Sequence, residues 1–333
     1  MRYEKLSNLA ANSVLAIPVI DSFGNVLVNA NAMLTACMIK RLEQLGYRGV
    51  YIFDDVSDGI FFDESIPVPV RLNAVQALRS NNVDACMCIA NSISNDLINS
   101  KKSEIVTDVS HLVKFDNYTF NHSVNVSVYS AMLGILLGYT PQEINTLAVA
   151  GMLHDIGKTL VPPEILFKEG ELTDEEFEIV KQHSKFGYDM LKGKASILSV
   201  VSASVLQHHE NEDGSGYPLG LTSDKIYKFA KILHVCDVYD ALVSKRCYKD
   251  AINPADAIDY LIEKKGTLFA PEIVDKFVQC VVLYPVGITV ILSIDVPAIV
   301  SGDSGDNKRP IVRFMDGSEI NLRTTSISVK SIV

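Results

Sequence analysis

Apolar positions along the chain change period twice, and the two changes divide it into three stretches. Up to about residue 66 the runs are short and strand-like: VLAIPVI, a turn at Asp21-Ser-Phe-Gly-Asn25, VLVNA and GVYIF, with one helical stretch, MLTACMIKRLEQLG. That mixture predicts a small N-terminal α/β module over 1–66. From 67 to 285 the spacing is helical almost throughout. Two helix starts are explicit, because Thr140-Pro141-Gln142-Glu143 and Thr173-Asp174-Glu175-Glu176 each place a threonine three residues ahead of a glutamate, the capping-box arrangement. Residues 286–333 return to strands: Val286, Ile288, Val290, Leu292, Ile294 and Val296 alternate, and Gly302-Asp-Ser-Gly305 and Asp316-Gly317 mark turns. The expected fold is mainly α, with a β-strand C-terminal extension. The apolar run from Val278 to Ile294 is interrupted by Pro285 and Gly287, which predicts a helix end and a strand instead of a membrane span.

The helical stretch carries polar residues where apolar ones are due. Phe177, Val180, His183 and Phe186 follow at three-residue steps, so His183 faces the core. Val201 and Val205 precede His209 at four-residue spacing, Val205 precedes His208 by three, and Asp237 extends the face of Phe229 and Leu233. A buried carboxylate is costly without a cation or strong donors nearby. One inward histidine is ordinarily a satisfied core residue; five, His122, His154, His183, His208 and His209, joined by Asp155 and Asp237, are not. They come from about five helices, without the close pairs of a zinc finger, and five imidazoles with two carboxylates suffice for a two-metal hydrolytic site. His234 reads as packing near that site, and His111 has no assignment.

Composition narrows the partners. Across 333 residues, 48% of them hydrophobic, the net charge is −10, which argues against binding a nucleic-acid polymer. A small anionic substrate is compatible, because metal ions supply positive charge locally. Six scattered cysteines without a framework predict reduced thiols in a cytoplasmic protein, and the first residues do not read as a signal peptide. No membrane partner is expected.

The segments HDIGKTLVPPEILFKEGELTDEEFEIVKQH from His154, HHENEDGSGYPLGL from His208 and DVYDALVSKRCYK from Asp237 closely resemble the HD-GYP family, phosphodiesterases of the HD superfamily that cleave cyclic di-GMP. The resemblance covers about 110–284, includes the intact triplet Gly216-Tyr217-Pro218, and implies an HD-type helical bundle. It implies that His122, His154, Asp155 and Asp237 hold one divalent ion and His183, His208 and His209 the other, with Asp155 bridging, iron favoured and manganese next. Asp155, Lys158 and Asp237 are the implied catalytic groups; Lys158, Tyr217, Asp240, Arg246 and Lys249 are the implied substrate contacts. Adjacent helical residues diverge by about 100°, so His154 and Asp155 are not expected to aim at one point, but they can serve one ion and a bridge toward its neighbour. Three-metal members carry a glutamate four residues before the first ligand histidine; here Tyr118 stands there, so two metals are expected.

The sequence has no serine elbow, P-loop or paired catalytic glutamates, which leaves metal-activated water as the nucleophile. Linear pGpG, degraded further to GMP, is the implied product. Other readings are hydrolysis of 3′,3′-cGAMP, a broader HD nucleotide hydrolase, which would lack the HHE…DGSGYP segment, and a non-catalytic sensor of the dinucleotide. A homodimer is compatible with the sequence.

Overall fold

The computed structural model describes residues 1–21, 25–61, 66–100, 105–106, 118–168, 170–244 and 252–333, with the backbone alone at 105–106 and 118–119. The chain forms two compact units, one of 1–67, 106–118 and 281–333, the other of 68–105 and 119–280.

In the first unit, strands β1 (Arg2–Lys5), β2 (Val14–Leu15) and β5 (Gly49–Phe53) form an antiparallel sheet in the order β1-β5-β2, beside a hairpin of β3 (Val19–Ile20) and β4 (Val26–Val28). Helix α1 (Ala36–Gln44) is capped by Thr35, whose hydroxyl accepts from Met38 N. It buries Ile39 and Leu42 in a cluster with Leu15, Leu34, Val50 and Ile52.

The C-terminal strands belong to this same unit. Strands β6 (Thr289–Leu292), β7 (Pro297–Gly302), β8 (Ile311–Phe314), β9 (Glu319–Asn321) and β10 (Val329–Ile332) make an antiparallel sheet ordered β9-β8-β7-β6-β10. Tyr3 N donates to Gly287 O at 3.1 Å, Thr289 Oγ1 to Tyr3 O at 2.5 Å, and Arg313 Nη1 to Val56 O at 3.0 Å and Asp58 O at 2.7 Å. The two ends of the sequence are thus hydrogen-bonded to one another. The single strand expected from Val286 to Val296 stops at Leu292. The chain turns there, with Asp295 at φ 59° and Leu292 N bonded to Val296 O, so Ile294 and Val296 are 51% and 38% exposed. Alternation continued through a turn, which period alone does not register.

The second unit is helical: α2 (Val68–Arg79), α3 (Val83–Ser100), α4 (Tyr118–Leu136), α5 (Pro141–Leu153), α6 (Pro163–Leu166), α7 (Asp174–Leu191), α8 (Ser199–Gln207), α9 (Lys228–Val243), α10 (Pro254–Glu263) and α11 (Pro271–Cys280). The capping boxes are present at α5 and α7. Every residue of α4 from 121 to 134 is buried, including serines, two asparagines and a histidine that need internal partners. Ser127, for example, donates to Ala148 O of α5 at 2.7 Å. Among the described residues no helix is long and apolar enough to cross a membrane.

Candidate metal centre

Five helices deliver the seven expected ligands to one buried place. His122 lies within α4, His183 within α7 and Asp237 within α9; His154 caps α5 and His208 caps α8, each followed directly by the next ligand, Asp155 or His209. His122, His154, Asp155, His183 and His208 are at most 3% exposed.

The helix ends matter. Asp155 leaves the α-helical conformation, at φ −100° and ψ 8°, and starts a 3-10 turn over Ile156–Leu160. Its Oδ2 therefore lies 3.3 Å from His154 Nε2, which corrects the expectation that neighbouring side chains diverge. Gly157 permits this turn to pack on α7: a Cβ there would meet His183 O at 2.0 Å and Gly187 N at 2.4 Å. The glycine brings the Asp155 backbone against the helix that carries His183.

Two donor groups result. His183, His208 and His209 offer one nitrogen each within a common small volume, as do His122 and His154 with an oxygen of Asp237; His154, Asp155 and His208 connect the two. His154, His183 and His208 donate from Nδ1 to the carbonyls of Gly151, Val180 and Val205 at 2.7–2.8 Å, so each turns an Nε2 lone pair inward. His183 Nε2 is 3.3 Å from His208 Nε2 and 3.2 Å from His209 Nε2. Lone pairs so close repel unless a cation lies between them, and two imidazoles on one tetrahedral ion, at bonds of about 2.1 Å, stand about 3.4 Å apart. His154 Nε2 and Asp155 Oδ1 are buried without a hydrogen-bond partner. The donor set therefore fits divalent cations.

Asp155 faces both groups. Its Oδ2 is 3.6 Å from His122 Nε2 as well as 3.3 Å from His154 Nε2, and its Oδ1 is 3.4 Å from His183 Nε2. Lys158 Nζ donates to Oδ2 at 2.5 Å. Burial pushes the Asp155 carboxyl up, but His154 and Lys158 overcome this and hold it well below the usual range. Burial likewise raises Asp237, while the hydrogen bond from His122 holds it well down. Burial pushes His183 down to about 4 and His208 and His209 well below the ordinary imidazole value, which keeps them neutral and able to ligate.

The expected substrate contacts fare differently. Asp240 departs from its expected place at the substrate: it is fully buried behind His122, accepting from His122 Nδ1 at 2.7 Å and from Asn125 Nδ2 at 2.9 Å. One helical turn beyond Asp237 leads inward here, toward α4. Tyr217 stacks on His209, with ring centroids 4.7 Å apart, and its backbone N donates to His209 O at 3.1 Å. Arg246 and Lys249 lie outside the described residues, as does His111, and the side chain of Tyr118 does too. His234, at 7% exposure, packs on Phe269.

Glu210 received no role from sequence. It is buried, with Oε1 accepting from Leu219 N at 2.7 Å and Oε2 from Leu221 N at 2.8 Å, so it ties down the loop that returns Tyr217 to His209. Its position directly after the histidine pair was the available signal. Gly216 lets that loop close, because a Cβ would meet Asn211 N at 2.3 Å and His209 O at 2.5 Å.

A family model described as HD domain matches residues 93–273. A segment of 172 residues, 52% of this chain and 41% of the relative, is 42% identical to the cyclic di-GMP phosphodiesterase PA4108 of Pseudomonas aeruginosa. Another of 184 residues, 55% of this chain and 49% of the relative, is 34% identical to the cyclic di-GMP phosphodiesterase response regulator RpfG of Xanthomonas campestris. A third, of 159 residues, is 35% identical to 3′3′-cGAMP-specific phosphodiesterase 2 of Vibrio cholerae, covering 47% of this chain and 30% of that one. The chain spans less than half the length of these relatives. Among solved structures, Bd1817, an HDG"Y"P protein from Bdellovibrio bacteriovorus, superposes on 83% of this chain and 97% of its own with a TM-score of 0.54 at 18% identity, a likeness of fold. The chain belongs to the HD domain family, in its HD-GYP branch. Divalent-metal binding comes with that membership.

Proposed function

We propose that this chain hydrolyses a phosphodiester bond of cyclic di-GMP, giving pGpG and then GMP, at a centre of two divalent ions, iron favoured and manganese next. The observation that carries the reading is Asp155, one carboxylate with an oxygen toward each of two donor groups. His122, His154 and Asp237 would hold the first ion, His183, His208 and His209 the second, and Asp155 both. Such ions supply a Lewis acid for phosphoryl oxygens and make water nucleophilic near neutral pH.

The chain's own groups do the rest. Lys158, 19% exposed in its side chain and beside Asp155, brings an ammonium to where phosphoryl charge develops. Asp237, its carboxyl held ionised, is the group to accept a proton. Tyr217, fixed against His209, lines the approach to the ligands. Arg246 and Lys249 are proposed to contact substrate on sequence grounds, as cations on the stretch that follows Asp237. The similarity to relatives named for cyclic di-GMP supports that substrate, and the similarity to a cGAMP-specific relative makes 3′,3′-cGAMP the second reading. Tyr118 supports a count of two ions, since a phenol is a poor bridging ligand at neutral pH.

The test is an anaerobic assay of the purified chain against both dinucleotides, with metal content measured on the same sample and on Asp155→Ala. Wild type should hold two ions and cleave cyclic di-GMP, and the variant should lose metal and activity together. Full turnover by the variant, or no turnover of either dinucleotide by the metal-loaded wild type, refutes the proposal.

A further inference from the structure

We infer that Arg71 and Asn125, acting through Asp240, are positioning residues that lock His122 in the tautomer whose Nε2 lone pair faces the first metal position. The inference rests on the two-ion reading above. Arg71 lies on α2, ahead of the segment that matches the HD domain model, and is 4% exposed. Its Nη1 donates to Asn125 Oδ1 at 2.9 Å; Asn125 Nδ2 donates to Asp240 Oδ1 at 2.9 Å; and Asp240 Oδ2 lies 2.7 Å from His122 Nδ1. All three contacts are buried.

The direction of this chain follows from what each group can do. A guanidinium only donates, so the Asn125 atom facing Arg71 must be its oxygen, and the amide nitrogen must face Asp240. An ionised carboxylate only accepts, so the proton between Asp240 and His122 must sit on Nδ1. That leaves Nε2, 2.9 Å from Asp237 Oδ1, as the nitrogen that ligates, once a cation between the two replaces the hydrogen bond they share without one. His154, His183 and His208 reach the same tautomer through backbone carbonyls, which no side-chain substitution can reverse. His122 alone among these four depends on side chains, and a carboxylate behind the ring also makes it a stronger donor.

The experiment strips the full chain of metal, reloads it anaerobically with manganese, and measures ions per chain, affinity and the electron paramagnetic signal of a coupled pair. Wild type should bind two ions. In Asp240→Asn the amide oxygen must accept from Asn125, so its NH2 faces His122 Nδ1 and forces the proton to Nε2. One ion per chain and loss of the coupled signal are expected. Arg71→Met releases the Asn125 amide to rotate and should weaken the first ion by about 10- to 100-fold, and Arg71→Lys should recover most of that loss because an ammonium also only donates. If either variant fails to fold, zinc-loaded wild type with labelled histidines decides by nitrogen NMR, with the His122 ring assigned by its disappearance in His122→Gln. A proton on Nδ1 supports the inference, and a proton on Nε2 overturns it. Two ions at wild-type affinity in both Asp240→Asn and Arg71→Met overturn the inference alone. A wild-type chain that takes up no manganese defeats the two-ion reading and this inference with it.

Discussion

Replacing Gly157 with alanine tests whether the metal centre depends on one backbone contact. A Cβ at 157 would stand 2.0 Å from His183 O and 2.4 Å from Gly187 N, both main-chain atoms that cannot swing aside. Ordinary contact needs roughly 3.0 to 3.4 Å, so the 3-10 turn and α7 must part by roughly 1 to 1.4 Å. Overpacking of this kind costs about 1–3 kcal/mol, which the fold should survive. The site is less tolerant. Asp155 precedes the turn and His183 rides on α7, and their Oδ1 and Nε2 atoms are 3.4 Å apart. Added to that spacing, the displacement takes Asp155 out of reach of the second donor group while His183, His208 and His209 move relative to one another. A misplacement of about 1 Å costs on the order of 10²-fold in rate. Gly157→Ala should therefore unfold cooperatively with a modestly lowered midpoint, bind the second ion weakly, and turn over on the order of 10²-fold more slowly. Calorimetry, metal analysis and steady-state rates on one preparation make the comparison. Two tightly bound ions and a wild-type rate would refute the reasoning, because the contact would then be dispensable.

Lys158→Ala should keep both ions and slow turnover by about 10² to 10³, the scale for removing one preorganised donor; loss of metal instead would mean that its pairing with Asp155 supports the ligands. Glu210→Gln turns an amide NH2 toward the backbone N–H of Leu219 or Leu221, costing about 3 kcal/mol and lowering the melting temperature by roughly 6–12 °C; a shift within error would show that the loop is held otherwise. In the metal-free chain, burial opposes charge on His122, but Asp237 and Asp240 push it up to about 9, whereas burial pushes His183 and His234 down to about 4. His122 therefore contributes stability that is complete below about 6.5 and fades as pH rises to 9, and His183 and His234 contribute stability that is complete above about 6.5 and fades as pH falls to 4. Urea midpoints of the metal-free chain at pH 4.5, 6.5 and 9 should be highest at 6.5, and a monotonic trend would contradict these assignments.

Local physics was enough for much of this protein. The helix starts at Thr140 and Thr173, the inward faces of His183 and Asp237, and the choice of metal-ligating side chains all follow from periods and donor chemistry, because a residue's face on a helix is set by its neighbours within two turns. What local order cannot carry is where a helix stops and what lies across from it. The ends of α5 and α8 let His154 meet Asp155 and let His208 and His209 serve one donor group, against the divergence a continuous helix would impose. The turn at Asp295 ended a strand whose alternation ran on. Asp240, one turn from Asp237, was assigned to substrate, yet α4 lies on that side and makes it the support of His122, with Arg71 reaching Asn125 from 54 residues away. The pairing of the first strand with the last segment of the chain is likewise invisible to period, because hydrogen bonds across such separation depend on how the folded backbone returns. Sequence determined which atoms can ligate, donate and accept; only the tertiary structure decided which of them meet.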